Sequence, residues 1–297
     1  MTRSFSRFGA NMASKIVVVT GCSSGIGLST AVLLASDKDR RFKVYATLRN
    51  LAKKGELEEK GRDFVGDTLI IKEMDVCSDD SVNEVIQELL TSHERIDVLI
   101  NNAGVGMFGA LETQTMEASR NIFETNFFGV LRLTKAVLST MKAKREGHII
   151  CVSSVGGING CPFSGIYCAS KFAVEGLVES LAPMLKKFNV RCSLIEPGPV
   201  STSFTTNLVE SNKSDDPPLD EETKQLLDNC SKKMQASFST LVQTPDEVAE
   251  VILEALNHEK PHLRYQTNKN YATFTAAKLA DPTGDKPSEL LYQRFFC

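Results

Sequence analysis

Short apolar runs alternate with longer helical patterns over the first two thirds of this chain. Each run has the length and composition of a buried parallel strand, and the runs cover residues 16–19, 42–47, 69–74, 96–100, 148–152 and 190–195. Between them, residues 26–35, 81–90 and 122–141 carry apolar side chains at helical spacing. Strands that alternate with helices form a parallel sheet through right-handed crossovers. The pattern predicts an α/β fold, a Rossmann-like doubly wound parallel sheet of about seven strands with helices on both faces.

The alternation stops after residue 199, and the next long segment has a different character. Residues 203–240 are polar with only weak helical periodicity, and a segment this irregular in a compact domain is either functional or disordered. Because ordered elements flank it and it carries isolated large apolar residues, we interpret it as a mobile substrate lid. A solvated surface insertion is the alternative. The large apolar residues are Phe204, Leu208, Leu226, Leu227, Met234 and Phe238.

The last part of the chain again shows patterns of regular secondary structure. Thr244, followed by Pro245 and by Glu247 three residues on, predicts a capped helix start, and residues 262–265 predict a last strand. Residues 1–14 contain two arginines but no apolar stretch, so they predict a disordered extension and not a secretory signal. We therefore assign residues 15–297 to one domain that includes the lid.

A glycine-rich turn lies between the first predicted strand and the first predicted helix. Gly21, Gly25 and Gly27 have the spacing G-x-x-x-G-x-G, and glycine lets a backbone turn sharply and approach a ligand closely. Backbone N–H groups at the start of a helix, together with the helix dipole, bind phosphate groups. Because glycine turns are common in proteins, this turn indicates a phosphate site only in combination with the motifs that follow.

A serine, a tyrosine and a lysine form the predicted catalytic group. Tyr167 and Lys171 share one face of a predicted helix, and Ser154 follows a strand, at the edge where open α/β sheets bind ligands. A nearby ammonium stabilises a phenolate, so we expect Lys171 to lower the pKa of Tyr167. Tyr167 can then exchange a proton with an alcohol or a carbonyl while Ser154 binds the reacting oxygen. An ordinary helix face is the alternative for the tyrosine–lysine pair.

Taken together, these motifs resemble those of the short-chain dehydrogenase/reductase family, in family order from residue 15 to about residue 205. The resemblance implies that Asn126 completes a catalytic tetrad and holds a water that relays protons to the lysine. It also implies that Asp75 contacts the adenine and Thr202 the nicotinamide carboxamide. For Asn101 and Asn102, the alternative to a family role is that their side chains only stabilise a turn. The motifs are Thr20-Gly21-x3-Gly25-Ile26-Gly27, Asn101-Asn102-Ala103-Gly104, Asn126, Ser154, Tyr167-x3-Lys171 and Pro197-Gly198.

The family's functional residues carry over position by position. The implied catalytic residues are Ser154, Asn126, Tyr167 and Lys171, of which Ser154 and Tyr167 also contact the substrate. The implied cofactor-binding residues are Gly21, Ser23, Ser24, Gly25, Ile26, Gly27, Arg49, Asp75, Val76, Asn102, Ala103, Gly104, Tyr167, Lys171, Pro197, Gly198, Val200 and Thr202.

The residues at the end of the second predicted strand indicate NADP(H) as the cofactor. A site for NAD has an acidic side chain on the ribose 2′-OH about 20 residues after the glycines, whereas this chain has Thr47-Leu48-Arg49 there. The planar donor fork of arginine suits a 2′-phosphate, and Ser24 could add a hydroxyl. A solvated surface charge is the alternative for Arg49.

The resemblance implies an NADP-dependent oxidoreductase that interconverts an alcohol and a carbonyl on a bulky lipid. Residues 45–49 and 169–176 are similar to those of family members that act on retinoids or steroids. We therefore expect all-trans-retinol and retinal first, and the 17-beta-hydroxysteroid pair estrone and estradiol second. A non-catalytic NADP-binding sensor is the alternative of another class, although such proteins usually lose the tyrosine or the lysine. Apolar residues along the helix after Lys171 predict a homodimer, since the family often pairs this helix across a two-fold axis.

Composition narrows the partners and the compartment. The formal net charge is −3 and no basic stripe stands out, which argues against nucleic acid as a partner. The eight cysteines contain no C-x-x-C pair, which indicates reduced thiols in a cytoplasmic compartment, and we expect no metal site. No apolar run reaches the ~18 residues of a membrane span, and a peripheral membrane contact stays open.

Overall fold

Seven parallel strands form one sheet in the described part of this computed structural model, residues 13–204, 219–283 and 285–296. Along the sheet the strands lie in the order 3-2-1-4-5-6-7, so the chain starts in the middle and winds outwards in both directions. The predicted fold class is confirmed, and each strand begins and ends within two residues of its expected bounds. The strands are β1 (Lys15–Thr20), β2 (Phe42–Leu48), β3 (Leu69–Glu73), β4 (Val98–Asn101), β5 (Gly147–Val152), β6 (Val190–Glu196) and β7 (Arg264–Gln266).

Helices cover both faces of this sheet. In chain order they are α1 (Gly25–Ala35), α2 (Gly55–Lys60), α3 (Asp79–His93), α4 (Met116–Phe123), α5 (Gly129–Lys144), α6 (Gly165–Lys186), α7 (Glu221–Leu241), α8 (Pro245–Asn257), α9 (Ala272–Ala280) and α10 (Asp285–Phe296). Side chains of a strand point alternately to its two faces. Val17 and Val19 of β1 therefore pack with α1 and α8, while Ile16 and Val18 pack with α3, α5 and α6.

The helix expected at residues 122–141 is both longer and interrupted. It begins at Met116, where the Thr115 side chain accepts a hydrogen bond from the N–H of Ala118 at 3.1 Å. A π-helical turn at Glu124–Phe128 then joins α4 to α5. The expectation of one regular helix is wrong because an apolar pattern carries no signal for the wider hydrogen bonding of a π turn. Such turns are frequent at functional sites, and Asn126 lies inside this one.

The segment at 203–240 contains the long helix α7, which corrects the expectation of an irregular segment. Asp220 caps this helix by accepting a hydrogen bond from the N–H of Thr223 at 2.9 Å. Few of its positions are apolar, so the helical period is weak in the sequence although one narrow stripe is packed. The cluster formed by that stripe consists of Leu227, Cys230, Met234, Phe108 and Phe163. Residues 205–218 with Leu208, residues 1–12 of the predicted extension and the Phe238 side chain lie outside the described residues.

A partly buried ion cluster connects the last strand to the rest of the molecule. Arg264 of β7 contacts the carboxylates of Glu196 in β6 and of Glu175 and Glu179 in α6. Burial raises the pKa of Glu175 to about 7, against the opposing effect of Arg264. Breaking a buried pair by removing one partner costs about 3–5 kcal/mol, because a charge is left without compensation. Arg264 therefore holds a strand of only three residues in place.

The structure also bears on the three expectations of reduced thiols, no metal site and no membrane span. None of the helices in the described ranges is long and apolar enough to cross a membrane. Within those ranges no group of three or more His, Cys, Asp or Glu side chains is placed to hold a metal ion. The described cysteines carry free thiols, of which Cys77 and Cys161 are partly buried and the others fully buried: Cys22, Cys151, Cys168, Cys192 and Cys230.

Candidate active site

The glycine-rich turn forms a cradle at the carboxyl edge of the sheet. Gly21 and Gly25 have φ angles of 71° and 59°, in the left-handed region that favours glycine. A Cβ on Gly25 would lie 2.9 Å from the side chain of Thr202, and a Cβ on Gly27 would lie 2.4 Å from the carbonyl oxygen of Gly21. The turn therefore needs glycine at these positions. Since α1 begins directly behind it, its first N–H groups and the helix dipole face the cradle.

The Asn-Asn-Ala-Gly segment supports the cradle from the end of β4. The Thr20 hydroxyl accepts hydrogen bonds from the N–H groups of Asn102 and Ala103, at 3.0 and 2.9 Å. The Asn102 side chain donates to the carbonyl oxygens of Thr20 and Gly21, at 2.8 and 3.2 Å. Asn102 thus stabilises the glycine-rich turn. It also lines the cavity described below, so turn stabilisation is not the whole of its placement.

Ser154, Tyr167 and Lys171 meet at the carboxyl end of β5. The Ser154 hydroxyl accepts a hydrogen bond from the N–H of Gly156 at 3.0 Å, and it lies close enough to the Tyr167 phenol to act against the rise in its pKa. Lys171 lies one turn after Tyr167 in α6, with its Nζ 5.9 Å from the centre of the tyrosine ring. This ammonium donates to the carbonyl oxygen of Val152 at 2.9 Å. The three predicted catalytic side chains are therefore brought together.

Burial dominates the ionisation of this group. It raises the pKa of Tyr167 above its ordinary value, against the lowering effect of the Ser154 hydrogen bond, although part of the ring remains accessible in the cavity. Burial also lowers the pKa of Lys171 to about 8. The pKa of Tyr167 is therefore raised in this structure and not lowered as expected, because desolvation of the phenolate outweighs the lowering effect of Ser154. A tyrosine that keeps its proton is suited to donate it to a carbonyl oxygen.

Asn126 is held rigidly beside the lysine by the π turn. Its amide nitrogen donates to the carbonyl oxygen of Val105 and to the Ser170 hydroxyl, both at 2.9 Å, and its amide oxygen accepts from the N–H of Val105 at 2.8 Å. A Cβ on Gly104 would lie 3.4 Å from the Asn126 side chain and 3.6 Å from the Lys171 Nζ. The side chain of Asn126 is thus fixed by three hydrogen bonds to the protein, and it does not line the cavity described below.

One cavity of about 430 Å³ joins the cradle to the catalytic group. Nearly every residue predicted to bind cofactor or substrate lines it. The exception is Gly27, which packs behind the cradle; of the predicted catalytic residues, Asn126 does not line the cavity. The predicted residues that line it are Gly21, Ser23, Ser24, Gly25, Ile26, Arg49, Asp75, Val76, Asn102, Ala103, Gly104, Ser154, Tyr167, Lys171, Pro197, Gly198, Val200 and Thr202.

The other end of the cavity is formed by residues that the sequence did not single out as a site. The Phe204 ring lies 5.7 Å from the Tyr167 ring, centre to centre. From the C-terminal part, the Arg294 guanidinium lies 5.1 Å from the Tyr271 ring centre and 5.0 Å from that of Phe274. Apart from Phe204 and Met234, which belonged to the predicted lid, no local motif marks these positions. The wall residues at this end include Cys161, Ser164, Phe204, Met234, Tyr271, Phe274 and Arg294.

Comparison with known proteins identifies this arrangement. Residues 15–213 match the short chain dehydrogenase family. The chain is 45% identical to retinol dehydrogenase 8 of Bos taurus over 277 residues, 92% of this chain and 87% of the relative. It is 39% identical to 17-beta-hydroxysteroid dehydrogenase type 1 of Homo sapiens over 285 residues, 96% and 87% of the two chains. A metagenomic short-chain oxidoreductase solved in complex with NADP superposes with a TM-score of 0.66 at 26% identity, covering 86% and 98% of the chains.

The chain therefore belongs to the short-chain dehydrogenase family. It is an oxidoreductase that acts on CH–OH groups, and its family binds a nicotinamide dinucleotide. The family resemblance drawn from the sequence motifs is confirmed, including the likeness to retinoid- and steroid-converting members.

Proposed function

We propose that this protein is an NADP(H)-dependent oxidoreductase that interconverts an alcohol and a carbonyl on a bulky lipid, with all-trans-retinol and all-trans-retinal as the first substrate pair. One observation carries the proposal: Ser154 and Tyr167 lie side by side and face a cavity end whose wall includes Phe204, Met234 and Phe274. A retinoid is apolar along its whole length and has one reacting oxygen. That division suits a wall with several large apolar and aromatic side chains and the catalytic pair at one place.

The opposite half of the cavity fits a dinucleotide. The left-handed glycines leave open the space that side chains would fill, and the start of α1 directs backbone N–H groups at a pyrophosphate. Arg49 is exposed at the end of β2 and lines the same cavity. Its guanidinium suits a 2′-phosphate, which supports NADP(H) over NAD(H). When bound, the nicotinamide supplies or accepts the hydride.

The proton chemistry belongs to the side chains. In carbonyl reduction, Tyr167 gives its phenolic proton to the carbonyl oxygen as the hydride reaches the carbon. Ser154 donates a hydrogen bond to the same oxygen and stabilises its developing negative charge. The ammonium of Lys171 stabilises the phenolate that remains. In alcohol oxidation the same groups act in the reverse order.

A steroid is the second candidate substrate. The human relative named for 17-beta-hydroxysteroid dehydrogenase activity is 39% identical across 96% of this chain. A steroid is also bulky and apolar with a reacting oxygen at one end, so the same cavity suits the estrone and estradiol pair. A protein that binds NADP(H) without turnover is the alternative of another class.

A turnover panel tests these candidates. Purified protein is mixed with NADPH and, separately, all-trans-retinal, estrone and a medium-chain aldehyde, and the absorbance of the reduced nicotinamide is followed. We expect the highest kcat/KM with retinal. Higher kcat/KM with estrone would overturn the retinoid assignment and keep the class. NADPH binding without turnover of any carbonyl would support the sensor.

Tyr167→Phe is the matched control for this panel, because it removes one hydroxyl and keeps the ring. Turnover should fall by a factor on the order of 10² or more while NADPH binding survives. Retention of more than about a tenth of the wild-type rate would remove Tyr167 from its assigned role.

We further propose that residues 203–240 act as a lid and that the protein works in the cytoplasm, where its free thiols stay reduced. α7 supplies Met234 to the cavity wall and Phe204 stacks near Tyr167, so closure over a substrate would exclude water. Amide hydrogen exchange in this segment should slow when NADP and a retinoid are both bound, and less with NADP alone. Equal exchange in the free and ternary states would favour a plain surface insertion.

A further inference from the structure

Two cysteines, Cys161 and Cys168, lie in contact directly behind Tyr167. Cys168 follows Tyr167 in the first turn of α6, and Cys161 lies in the loop that precedes this helix. The backbone N–H of Cys161 donates to the Cys168 sulfur at 3.3 Å. The Cys161 thiol donates to the Asn159 carbonyl oxygen at 4.0 Å and lies near enough to the Cys168 sulfur for the two ionisations to influence each other. The pair is thus close enough to be joined by a local movement.

The surroundings of Cys168 favour its thiolate. A thiol in the first turn of a helix feels the positive end of the dipole. The hydrogen bonds from Cys161 lower the pKa of Cys168, whereas the same contact and burial raise the pKa of Cys161. Burial raises the pKa of the other described cysteines: Cys22, Cys77, Cys151, Cys192 and Cys230. Cys168 is therefore the described cysteine with the strongest thiolate character.

The cavity provides the route to the pair. Cys161 lines it together with Tyr167, while Cys168 is 3% exposed behind this wall. A reagent must therefore be small enough to enter the cavity and pass Cys161. Hydrogen peroxide meets that requirement, and a bulky disulfide does not.

We propose that Cys161 and Cys168 form an oxidation site for small hydroperoxides, at which a disulfide forms and suppresses turnover. The Cys168 thiolate attacks one peroxide oxygen, the O–O bond breaks, and the departing hydroxide takes up a proton to become water. The sulfenic acid formed at Cys168 is then attacked by the Cys161 sulfur, and the S–O bond breaks as hydroxide leaves with the Cys161 proton as a second water. Overall the two thiols lose two electrons and two protons, and one hydrogen peroxide is reduced to two waters.

The disulfide would act on catalysis through position. A Cβ on Gly156 would lie 3.3 Å from both the Cys168 sulfur and the Tyr167 ring, and 3.4 Å from the Ser154 hydroxyl, so the three groups share one small region. A disulfide bond of about 2 Å is much shorter than a contact between unbonded sulfurs. Closing it shifts the first turn of α6, which carries Tyr167, and a misplacement of about 1 Å can cost a factor on the order of 10² in rate.

Peptide mapping tests the bond itself. The full chain is treated with hydrogen peroxide, its remaining thiols are alkylated, and it is digested without reduction by a protease that cleaves after aromatic residues. Cleavage after Phe163 and Tyr167 separates the two cysteines unless a disulfide links them. We expect linked peptides that lack both alkyl groups and separate after dithiothreitol. Peptides alkylated at both positions after peroxide treatment would overturn the proposal.

Turnover tests the consequence. This readout rests on the proposed function, whereas the mapping does not, so a protein without measurable turnover would still reveal the disulfide. With retinal or another accepted carbonyl, oxidation should reduce the rate by a factor on the order of 10², and dithiothreitol should restore it. Cys161→Ser and Cys168→Ser, each compared with its own untreated rate, should resist dithiothreitol-reversible loss. Cys192→Ser, a buried thiol of β6, is the matched control and should lose activity like the wild type. Equal loss in all three variants, or full activity of the linked protein, would refute the site.

Discussion

Gly27→Ala tests whether the glycine-rich turn is the dinucleotide cradle, without any need to know the substrate. A Cβ at residue 27 would lie 2.4 Å from the carbonyl oxygen of Gly21 and 2.3 Å from the side-chain nitrogen of Asn102. Ordinary contacts of carbon are near 3.5 Å, so the turn must open by about 1 Å. The movement also strains the hydrogen bonds from Asn102 to Thr20 and Gly21. The substitution therefore displaces the backbone N–H groups of the turn that are proposed to bind the phosphates of the dinucleotide.

The magnitude follows from the hydrogen bonds at risk. A hydrogen bond to a charged group contributes about 1.5–3 kcal/mol, so losing one weakens NADPH binding by about 10- to 100-fold. Stability should change less. Overpacking costs about 1–3 kcal/mol, while alanine gains about 1 kcal/mol over glycine inside a helix, which leaves a net loss of at most about 2 kcal/mol.

Gly176→Ala is the matched control for this variant. Gly176 also lies within a helix, α6, and a Cβ there meets nothing within 4 Å. The control should bind NADPH like the wild type and melt at the same temperature or slightly higher. The chain contains no tryptophan, so affinity is measured by calorimetry or by the fluorescence of NADPH itself. A wild-type Kd for Gly27→Ala would refute the assignment of the cradle, because the turn would then have moved without affecting the dinucleotide.

Three further predictions concern the cofactor, pH and assembly. Arg49→Asp should shrink or reverse the preference for NADPH over NADH, since a carboxylate repels a 2′-phosphate and accepts from a free 2′-OH; an unchanged ratio of the two kcat/KM values would exclude Arg49 as the selector. Burial lowers the pKa of His148 to about 3 from an unfolded value of 6.5, so its contribution to stability is present above pH 6.5 and is lost by about 1.4 kcal/mol per pH unit below it. Relative to the wild type, His148→Gln should gain stability in urea unfolding between pH 6.5 and 5, whereas the exposed His258→Gln should not; parallel pH curves would contradict this reasoning. Phe172 and Met184 of α6 are 39% and 43% exposed, and we expect light scattering to give a homodimer at micromolar concentration, whereas a monomer would argue against pairing through this helix.

The sheet and the meeting of Ser154, Tyr167 and Lys171 could be predicted because their signals are local. Each strand is a short apolar run, and a strand that is buried on both faces needs no further information to be recognised. Ser154 and the Tyr167–Lys171 pair lie at a strand end and on a helix face, so the fold class places them at one edge of the sheet. Their spacing along the chain was sufficient to bring them together.

The remaining features depend on contacts between distant parts of the chain. The burial that raises the pKa of Tyr167 results from the packing of several segments. The sequence does not show this packing, so the expected lowering of the pKa was wrong. Arg294 reaches the cavity from α10, more than 100 residues after the catalytic lysine, and no motif surrounds it. α7 was missed because its packed stripe is only one side chain wide in a polar helix.

The π turn at Glu124–Phe128 has a consequence for insertions and deletions. A π turn holds one residue more than an α turn. The side chains of α4 and α5 are therefore oriented relative to each other as in a continuous α-helix with one residue fewer. Deleting Thr125 could therefore rewind this turn as regular helix and leave the buried Leu133 and Val137 facing the core. The same deletion in the middle of α5 would rotate every later side chain by about 100°. When relatives of different length are aligned, a one-residue gap in this region belongs at the π turn and not within the helices on either side.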